Sequence, residues 1–165
     1  MTTDGDGFTL RVAKEALKFS AAHFIAYPGF RERLHGHNYS VAVTVEGRLG
    51  PDGYVLDFGL VKRTTKEICD ELDERLLVPM ESDVLSVSER GETVELRCED
   101  GSCFSVPRSD VVLMPLAHSS AEELARYLCL RLRDALGAHA QGTLRAVEVS
   151  VAEAPGQAAS FRTTG

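Results

Sequence analysis

Hydrophobic and polar residues alternate most regularly at residues 38–46, NYSVAVTVE. The apolar residues that would share one face are Tyr39, Val41, Val43 and Val45. This two-residue period predicts a β-strand with one buried face. Residues 8–18 are also compatible with a strand. The sequence GRLGPDG at 47–53 predicts a turn, and YVLDF directly after it predicts a third, short strand.

Two segments have the spacing of helices. The apolar positions of the first are Val61, Ile68, Leu72 and Leu76. Asp57 could cap the start of this helix by accepting an amide hydrogen of the first turn, and Pro79 is predicted to stop it. Leucines recur every fourth residue from Leu124 in the second helix. Two alternative capping boxes open that helix: Ser119 with Glu122, or Ser120 with Glu123.

The remaining segments predict strands. Residues 83–113 contain the turn sequences ERGE and EDGS, and they predict an inserted β-meander between the two helices. Residues 144–153 alternate as a final strand, and a polar tail follows. Two long strands, two helices and a last strand predict an α+β fold with both helices packed on one face of an antiparallel sheet.

Composition narrows the class of protein. The chain has 165 residues, 44% of them hydrophobic and 26% charged, which predicts one globular domain over residues 1–165. A net charge of −7 argues against binding to nucleic acid or to an anionic membrane. No apolar run reaches membrane-spanning length, and MTTDGDG at the start is unlike a signal peptide, so the expected location is cytoplasmic. The four cysteines are expected to be free thiols, although Cys98 and Cys103 could face each other across a hairpin turn.

Three histidines are candidate metal ligands. His35 and His37 point to the same side of a strand if the strand begins there. His23 ends the preceding strand segment, and the loop after it could bring it close. Three imidazoles with an open fourth position form a catalytic zinc site. The alternative is a set of ordinary surface or core histidines. The pattern alone favours neither the metal site nor this alternative.

Glu153 is a second unusual residue. It shares its strand parity with Val147, Val149 and Val151, which should face the core. A carboxylate on an apolar face needs a partner, such as a guanidine-like edge of a ligand held by two parallel hydrogen bonds. In the alternative, the strand ends at Ala152 and Glu153 is solvated.

Several segments together resemble the 6-pyruvoyltetrahydropterin synthase / 6-carboxytetrahydropterin synthase family. These segments are FSAAH (19–23), LHGHNYSVAVTVEG (34–47), VLDFGLVK (55–62), ELDERLL (71–77), SSAEELARYL (119–128) and VEVSVAEAPGQAASF (147–161). The resemblance implies the T-fold, a four-stranded antiparallel sheet with two helices on one face. It also implies a homo-oligomer, a hexamer formed as a dimer of trimers.

The same resemblance implies the site. Zn²⁺ would be held at His23, His35 and His37, and a small-molecule pterin would be anchored by Glu153. Glu122 matches a family carboxylate near the pterin pocket, although it could equally be an ordinary first-turn residue of the helix.

The chain departs from the family's synthases at two positions. Arg31 stands where they carry a catalytic cysteine, and Asp73-Glu74 stands where they carry an Asp-His pair. Glu32, in the order E-x-x-HGH, resembles a branch of the family in which a glutamate replaces the cysteine. That branch cleaves the side chain of dihydroneopterin to give 6-hydroxymethyl-7,8-dihydropterin. The alternative for Glu32 is a loop carboxylate paired with Arg31 or Arg33.

Three further residues have candidate roles, and two of them have an alternative interpretation. His118 could replace the missing histidine as a proton carrier, or it could be an exposed residue at the helix entry. Asp73 could orient a proton carrier. Asp57 could orient a metal-binding imidazole instead of capping a helix. The sequence thus predicts a zinc-dependent pterin lyase. The alternatives are a 6-pyruvoyl or 6-carboxy synthase and a family member that binds pterin or zinc without catalysis.

Overall fold

Two long antiparallel strands form the centre of the fold in the computed structural model, which describes residues 7–165. The strands, in chain order, are β1 (Phe8–His23), β2 (Ala26–Tyr27), β3 (Phe30–Arg31), β4 (His35–Gly47), β5 (Arg75–Pro79), β6 (Leu85–Arg90), β7 (Thr93–Cys98), β8 (Cys103–Pro107), β9 (Val111–Met114), β10 (Leu144–Ala154) and β11 (Gln157–Thr164). The helices are α1 (Phe58–Leu72) and α2 (Ala121–Gly137), and a short 3-10 turn covers Arg108–Asp110. The sequence at 1–6, part of the stretch compared with signal peptides, lies outside the described residues.

The main sheet is larger than predicted. Its strand order is β11-β10-β4-β1-β5-β9, so it has six strands where four were predicted. It is also mixed, because β5 pairs in parallel with both β1 and β9, whereas β1, β4, β10 and β11 are antiparallel neighbours. The α+β class is confirmed, and the prediction of a purely antiparallel sheet is wrong.

Residues 75–79 account for one of the missing strands. The prediction that α1 runs on to Pro79 is wrong, because the helix ends at Leu72 and the next residue is extended. Residues 76–79 are all buried, which is the continuous apolar pattern of a strand covered on both faces. The helical spacing of Leu76 was therefore a coincidence of two adjacent apolar elements.

Two other strand predictions are also wrong. The polar tail after residue 154 is β11, an edge strand that pairs with β10 along most of its length. The stretch 54–58 is not a strand; residues 54–56 form bends, Asp57 caps α1, and Phe58 is the first residue of the helix. Val55 and Leu56 are nevertheless buried, and Thr143 Oγ1 donates to the Val55 carbonyl at 3.1 Å. The loop was predicted as a strand because its apolar residues, which are buried in the fold, have the sequence pattern of a short strand.

The helix caps follow the sequence. Asp57 Oδ1 accepts a hydrogen bond from Leu60 N at 2.8 Å, which confirms that Asp57 caps α1. Its carboxylate is thus engaged by the helix and, within the described chain, not by a histidine. Of the two capping alternatives for α2, the structure has Ser120, whose Oγ accepts from Glu123 N. Within residues 7–165, none of the helices is long and apolar enough to cross a membrane.

Two apolar clusters lie on opposite faces of β5. The larger one joins the inward residues of β1, β4 and β10 to α1 and α2, and it includes Leu77. The smaller one joins Leu76 and Val78 to the meander and to Phe24. Because neighbouring residues of a strand point to opposite faces, the meander covers the face of β5 that the helices leave open.

The predicted meander at 83–113 is confirmed for β6, β7 and β8, which form a separate three-stranded sheet. Its last residues differ, because β9 joins the main sheet. The cysteines of the chain are free thiols, as predicted. Cys98 and Cys103 are not opposite each other, since the partner of Cys103 across the hairpin is Arg97.

Candidate active site

The three predicted histidines converge at one end of the β1–β4 pair. His23 is the last residue of β1 and His35 the first of β4, and the two are direct partners across the strands. His37 follows on the same side of β4. The ring centroids lie 4.7 to 5.1 Å apart, and one ring nitrogen from each residue lies within 4.8 Å of the others.

Backbone carbonyls fix which ring nitrogens face the centre of this cluster. His23 Nδ1 lies 2.8 Å from the Ser119 carbonyl oxygen, and His35 Nδ1 lies 2.8 Å from that of Arg33. A carbonyl oxygen can only accept a hydrogen bond, so each Nδ1 must carry the proton. In the neutral imidazole, Nε2 then presents its lone pair to the cluster.

The cluster fits a metal ion. His23 Nε2 is buried without a hydrogen-bond partner among the described residues, and His35 Nε2 lies 3.1 Å from His37 Nε2. A cation bound between the three rings would be a partner for the Nε2 lone pairs of His23 and His35. Burial lowers the pKa of His23, which outweighs the opposing effect of the Ser119 carbonyl and favours the neutral form that binds metal. These three residues could therefore hold a metal ion as a set of imidazole ligands.

A cavity of about 330 Å³ opens beside the histidines. Three carboxylates that were predicted as site residues also line it: Glu32, Glu122 and Glu153. The remaining lining residues are Ile25 and residues at the start of α2 and of β11. The structure thus brings six of the eight predicted site residues to one cavity, from four separate parts of the chain.

Glu153 reaches this cavity from a β-bulge. Pairing of β10 with β11 shifts between Ala152 and Ala154, so Glu153 is the extra residue. A bulge redirects a side chain and often does so next to a functional site. The strand continues to Ala154, and Glu153 is half-buried, so the alternative of a solvated residue beyond the strand end is wrong.

Glu32 is held in position by the loop that carries it. Its Oε2 accepts from Ile25 N at 2.9 Å, and its own amide donates to the Ile25 carbonyl at 2.9 Å. The alternative of a Glu32–Arg31 ion pair is wrong, because Arg31 binds Asp100 instead. The contact of Arg31 with Glu32 is to the backbone, where Arg31 Nη1 donates to the Glu32 carbonyl. The Glu32 side chain is half-buried and directed into the cavity.

Asp73 and His118 do not line the cavity in the described chain. Asp73 follows α1, and its Oδ1 accepts from Ser20 N at 2.7 Å. Its neighbour Glu74 lines a second, larger groove of about 510 Å³, which His37 also borders. His118 is half-buried, so it is not the exposed helix-entry residue of the alternative interpretation, and its Nδ1 has no hydrogen-bond partner within residues 7–165.

Sequence reasoning missed two residues that support the histidines. Ser119 was considered only as a helix cap, but it is buried and its carbonyl orients His23. Tyr39 was counted only as a core residue. Its ring packs edge-on against His23 and His37, and its buried hydroxyl has no hydrogen-bond partner within the described part of the chain. Burial, with the nearby charges of Glu153 and Glu32, raises the Tyr39 pKa. The sequence signal for Tyr39 was its hydroxyl on a face that is otherwise made of valines, because a buried hydroxyl usually needs a hydrogen-bond partner.

Fold and site define an α+β protein with a three-histidine candidate metal centre and a carboxylate-lined cavity. The family model for 6-pyruvoyl tetrahydropterin synthase matches residues 11–164. A putative 6-carboxy-5,6,7,8-tetrahydropterin synthase of Methanocaldococcus jannaschii is 35% identical over 147 residues, which cover 88% of this chain and 90% of that protein. The chain therefore belongs to the 6-pyruvoyl tetrahydropterin synthase family, whose enzymes act in pterin biosynthesis on small-molecule pterins.

Two further similarities bear on the chemistry. A solved structure of Plasmodium vivax 6-pyruvoyltetrahydropterin synthase, in which a catalytic glutamate is replaced by alanine, has a TM-score of 0.91 and 37% identity, and the match covers 97% of this chain and 99% of that one. A dihydroneopterin monophosphate aldolase of Pyrococcus furiosus is 42% identical over 59 residues, which cover 36% of this chain and 50% of that protein.

Proposed function

We propose that this chain is a zinc-dependent lyase that cleaves the side chain of 7,8-dihydroneopterin, or of its triphosphate, to 6-hydroxymethyl-7,8-dihydropterin. One observation carries the proposal: Glu32 and Glu153 line the same cavity as His23, His35 and His37. A base, a ligand anchor and a metal-binding set are the parts that this reaction needs. The partial similarity to a dihydroneopterin monophosphate aldolase supports it.

His23, His35 and His37 would hold the zinc through their Nε2 atoms. Zinc bound there would act as a Lewis acid that lowers the pKa of a side-chain hydroxyl of the substrate. The contacts of His23 and His35 with backbone carbonyls support this role, because they keep the ligand nitrogens unprotonated and fixed in direction.

Glu32 would act as the general base. Oε2 accepts from the Ile25 amide, so Oε1 is the oxygen directed to the substrate. It would take the proton of the 2′-hydroxyl. The C1′–C2′ bond would then break and C2′ would leave as the carbonyl carbon of a two-carbon aldehyde. The released electron pair would form a C1′=C6 bond as the C6=N5 pair moves onto N5, which takes up a proton. A proton returned to C1′ gives the hydroxymethyl product. A base of this kind contributes roughly 10²–10⁴-fold to the rate.

Glu153 would anchor the pterin. Its carboxylate can accept two parallel hydrogen bonds from the 2-amino group and the adjacent ring N–H. Its position in a bulge supports this role, because the carboxylate reaches into the cavity although its strand neighbours face the core. Glu122, exposed in the first turn of α2, also lines the cavity and would contribute a second polar contact to the pterin.

The proposed assembly is a cytoplasmic hexamer formed as a dimer of trimers. The edge strands β9 and β11 support it, because each has one side without a neighbouring strand in the described chain. In such an assembly, His118 and Asp73 would serve as proton carrier and orienting group at a cavity that includes a second copy. This would reconcile their predicted roles with their positions outside the cavity of one chain.

A second candidate function is 6-carboxy- or 6-pyruvoyltetrahydropterin synthesis. The names of the relatives from Methanocaldococcus jannaschii and Plasmodium vivax favour it. The four cysteines argue against the cysteine-dependent form of this reaction, because none of them lines the cavity in the described chain. Burial raises the pKa of Cys69, Cys98 and Cys129, which makes them poor nucleophiles. The third candidate is a member of the family that binds pterin without turnover.

Product analysis distinguishes these candidates. Zinc-loaded protein is incubated without oxygen with dihydroneopterin and, separately, with its triphosphate, and the product masses are read. A 6-hydroxymethyl product together with a two-carbon aldehyde supports the cleavage proposal. A 6-pyruvoyl or 6-carboxy product overturns it in favour of the synthase. Bound pterin without any product supports the binding protein.

A further inference from the structure

We infer that Arg31 is a positioning residue, which fastens the hairpin that carries Glu32 to the β7–β8 turn of the meander. This inference rests on the proposed role of Glu32 as the base. Arg31 itself does not touch the reaction site, because it lines a separate cleft with Cys98, Glu99 and Asp100. It would act on catalysis only by fixing where the Glu32 carboxylate lies.

The hairpin is short. Its two strands, β2 and β3, have two residues each, and Ala26 pairs with Arg31. Two-stranded hairpins are marginal by themselves in water, and this one is not part of the main sheet. The backbone bond from the Glu32 amide to the Ile25 carbonyl closes its base, but it does not tie the hairpin to another element. A base on such a support needs an external attachment to stay within reach of one substrate proton.

The guanidinium of Arg31 supplies this attachment. Its Nε donates to Asp100 Oδ2 at 2.8 Å, and its Nη2 donates to Ser102 Oγ at 3.0 Å. Both acceptors belong to the β7–β8 turn, about seventy residues along the chain. The Arg31 Cζ atom also lies 5.7 Å from the ring centroids of both Phe24 and Phe104, which stack on each other. The side chain is only 19% exposed, so this contact is partly shielded from solvent.

The third nitrogen connects this anchor to the base. Arg31 Nη1 donates to the Glu32 carbonyl at 2.9 Å. The same planar guanidinium that binds the meander therefore also holds the peptide group after Glu32. The next carbonyl, that of Arg33, orients His35. The Arg31 guanidinium thus links the meander to the backbone of Glu32. Through the next peptide group, it also links the meander to the carbonyl that orients His35.

Arginine suits this task because its fork is planar and presents donors in fixed directions. Lysine would keep the charge but cannot bind Asp100, Ser102 and the Glu32 carbonyl together. Asp100 responds to the contact, since the bond from Arg31, with further bonds from Ser102, lowers its pKa to about 2. A second tie runs from the Gly29 amide to Glu99 Oε2 at 2.9 Å, so the hairpin should stay folded when Arg31 is changed.

Arg31→Lys tests the inference, with Arg108→Lys as the matched control. Arg108 also donates through Nε to a meander carboxylate, Glu89, but it has no contact with the hairpin. We expect Arg31→Lys to lower kcat about 10- to 100-fold, the order of loss that follows a displacement of about 1 Å. KM, zinc content and the unfolding midpoint should match those of Arg108→Lys. Equal kcat values for the two variants would overturn the inference.

A double variant separates positioning from a general structural effect. If Arg31 acts through Glu32, Arg31→Lys should lower the residual rate no further in a Glu32→Gln background. A full additional loss there would contradict the inference. Exchange of the Ile25 amide, whose bond to Glu32 Oε2 reports the carboxylate position, should be faster in Arg31→Lys and unchanged in Arg108→Lys. An unchanged rate in both variants would also count against it.

The inference and the proposed function fail in different ways. Undiminished turnover by Glu32→Gln would refute the base assignment, whatever Arg31 does. A large loss with Glu32→Gln and none with Arg31→Lys would leave the proposed function intact and remove only the positioning role.

Discussion

His23 Nδ1 and the carbonyl oxygen of Ser119 lie 2.8 Å apart, a contact between residues 96 positions apart in the chain. It joins the end of β1 to the residue that precedes the cap of α2. The contact fixes the proton on Nδ1 and leaves Nε2 for a ligand. Metal binding at His23 would thereby be coupled to the packing of α2 on the sheet.

We expect His23→Gln to lower zinc affinity by more than about 100-fold, because losing even an outer partner of a metal ligand typically costs 10–100-fold. Zinc content after dialysis against a graded chelator measures this. His139→Gln is the matched control, since His139 is exposed and lies beyond α2, away from the cavity. Equal zinc retention by the two variants would show that the cluster is not the metal site.

Glu32→Gln should reduce turnover by roughly 10²–10⁴-fold, since the amide cannot take the substrate proton. Zinc content and pterin affinity should stay close to those of the unaltered protein, because Glu32 Oε2 binds only the Ile25 amide in the described chain and the substitution keeps the side-chain shape. Single-turnover rates and equilibrium titration with a pterin measure the two effects. A variant that loses zinc together with activity would point to a structural role.

Glu153→Gln should weaken pterin binding and leave zinc binding unchanged. A hydrogen bond to a charged group contributes about 1.5–3 kcal/mol, which corresponds to roughly a 10- to 100-fold change in Kd. Fluorescence titration with a pterin checks this. Glu148→Gln, on the same strand outside the cavity, is the control. Similar Kd values for both variants would remove Glu153 as the anchor.

Gly36→Ala should displace the two histidines that flank it. A Cβ atom at Gly36 would lie 3.2 Å from the Ala21 carbonyl oxygen, which belongs to the rigid neighbouring strand. Overpacking of this kind typically costs about 1–3 kcal/mol. We expect a lower unfolding midpoint and weaker zinc binding. Gly137→Ala, where a Cβ has open space at the end of α2, should be neutral or slightly stabilising in the same denaturation assay.

The Asp100–Arg31 contact predicts a defined dependence of stability on pH. The bond from Arg31, together with bonds from Ser102, lowers the pKa of Asp100 from 3.8 to about 2. The ionised Asp100 therefore stabilises the fold above about pH 4, and this effect is lost as the pH falls to about 2. The gap between the urea midpoints of the unaltered protein and Asp100→Asn should therefore close over that interval. The gap should be small and sensitive to salt, because the Asp100 side chain is 44% exposed. A gap that persists at the acid end would contradict this reading.

Much of the site could be predicted because its residues have local signals. His35, His37 and the valines of β4 follow strand parity, and His23 ends a neighbouring strand. Glu153 was recognised because a carboxylate with core parity is costly. The support for these residues could not be found in this way. The Ser119 carbonyl and the Asp100 side chain act on residues 96 and 69 positions away in the chain, and no short-range pattern reports such contacts.

The errors in the fold have a common physical cause. Residues 75–79 and 157–164 are strands because other elements cover or pair with them, namely the meander for β5 and β10 for β11. By sequence alone, residues 75–79 fit the end of a helix and residues 157–164 fit a polar tail. Tertiary contacts decided both cases, as they usually do for short segments at the margin of a sheet.

The direct pairing of His23 with His35 has a consequence for how the chain folds. A slip of one residue between β1 and β4 would send the histidines of the two strands to opposite faces. A metal ion bound by all three therefore discriminates between correctly aligned and misaligned strands. Because a ligand stabilises only the state that binds it, metal supply during synthesis would raise the yield of the native pairing as well as the number of active molecules.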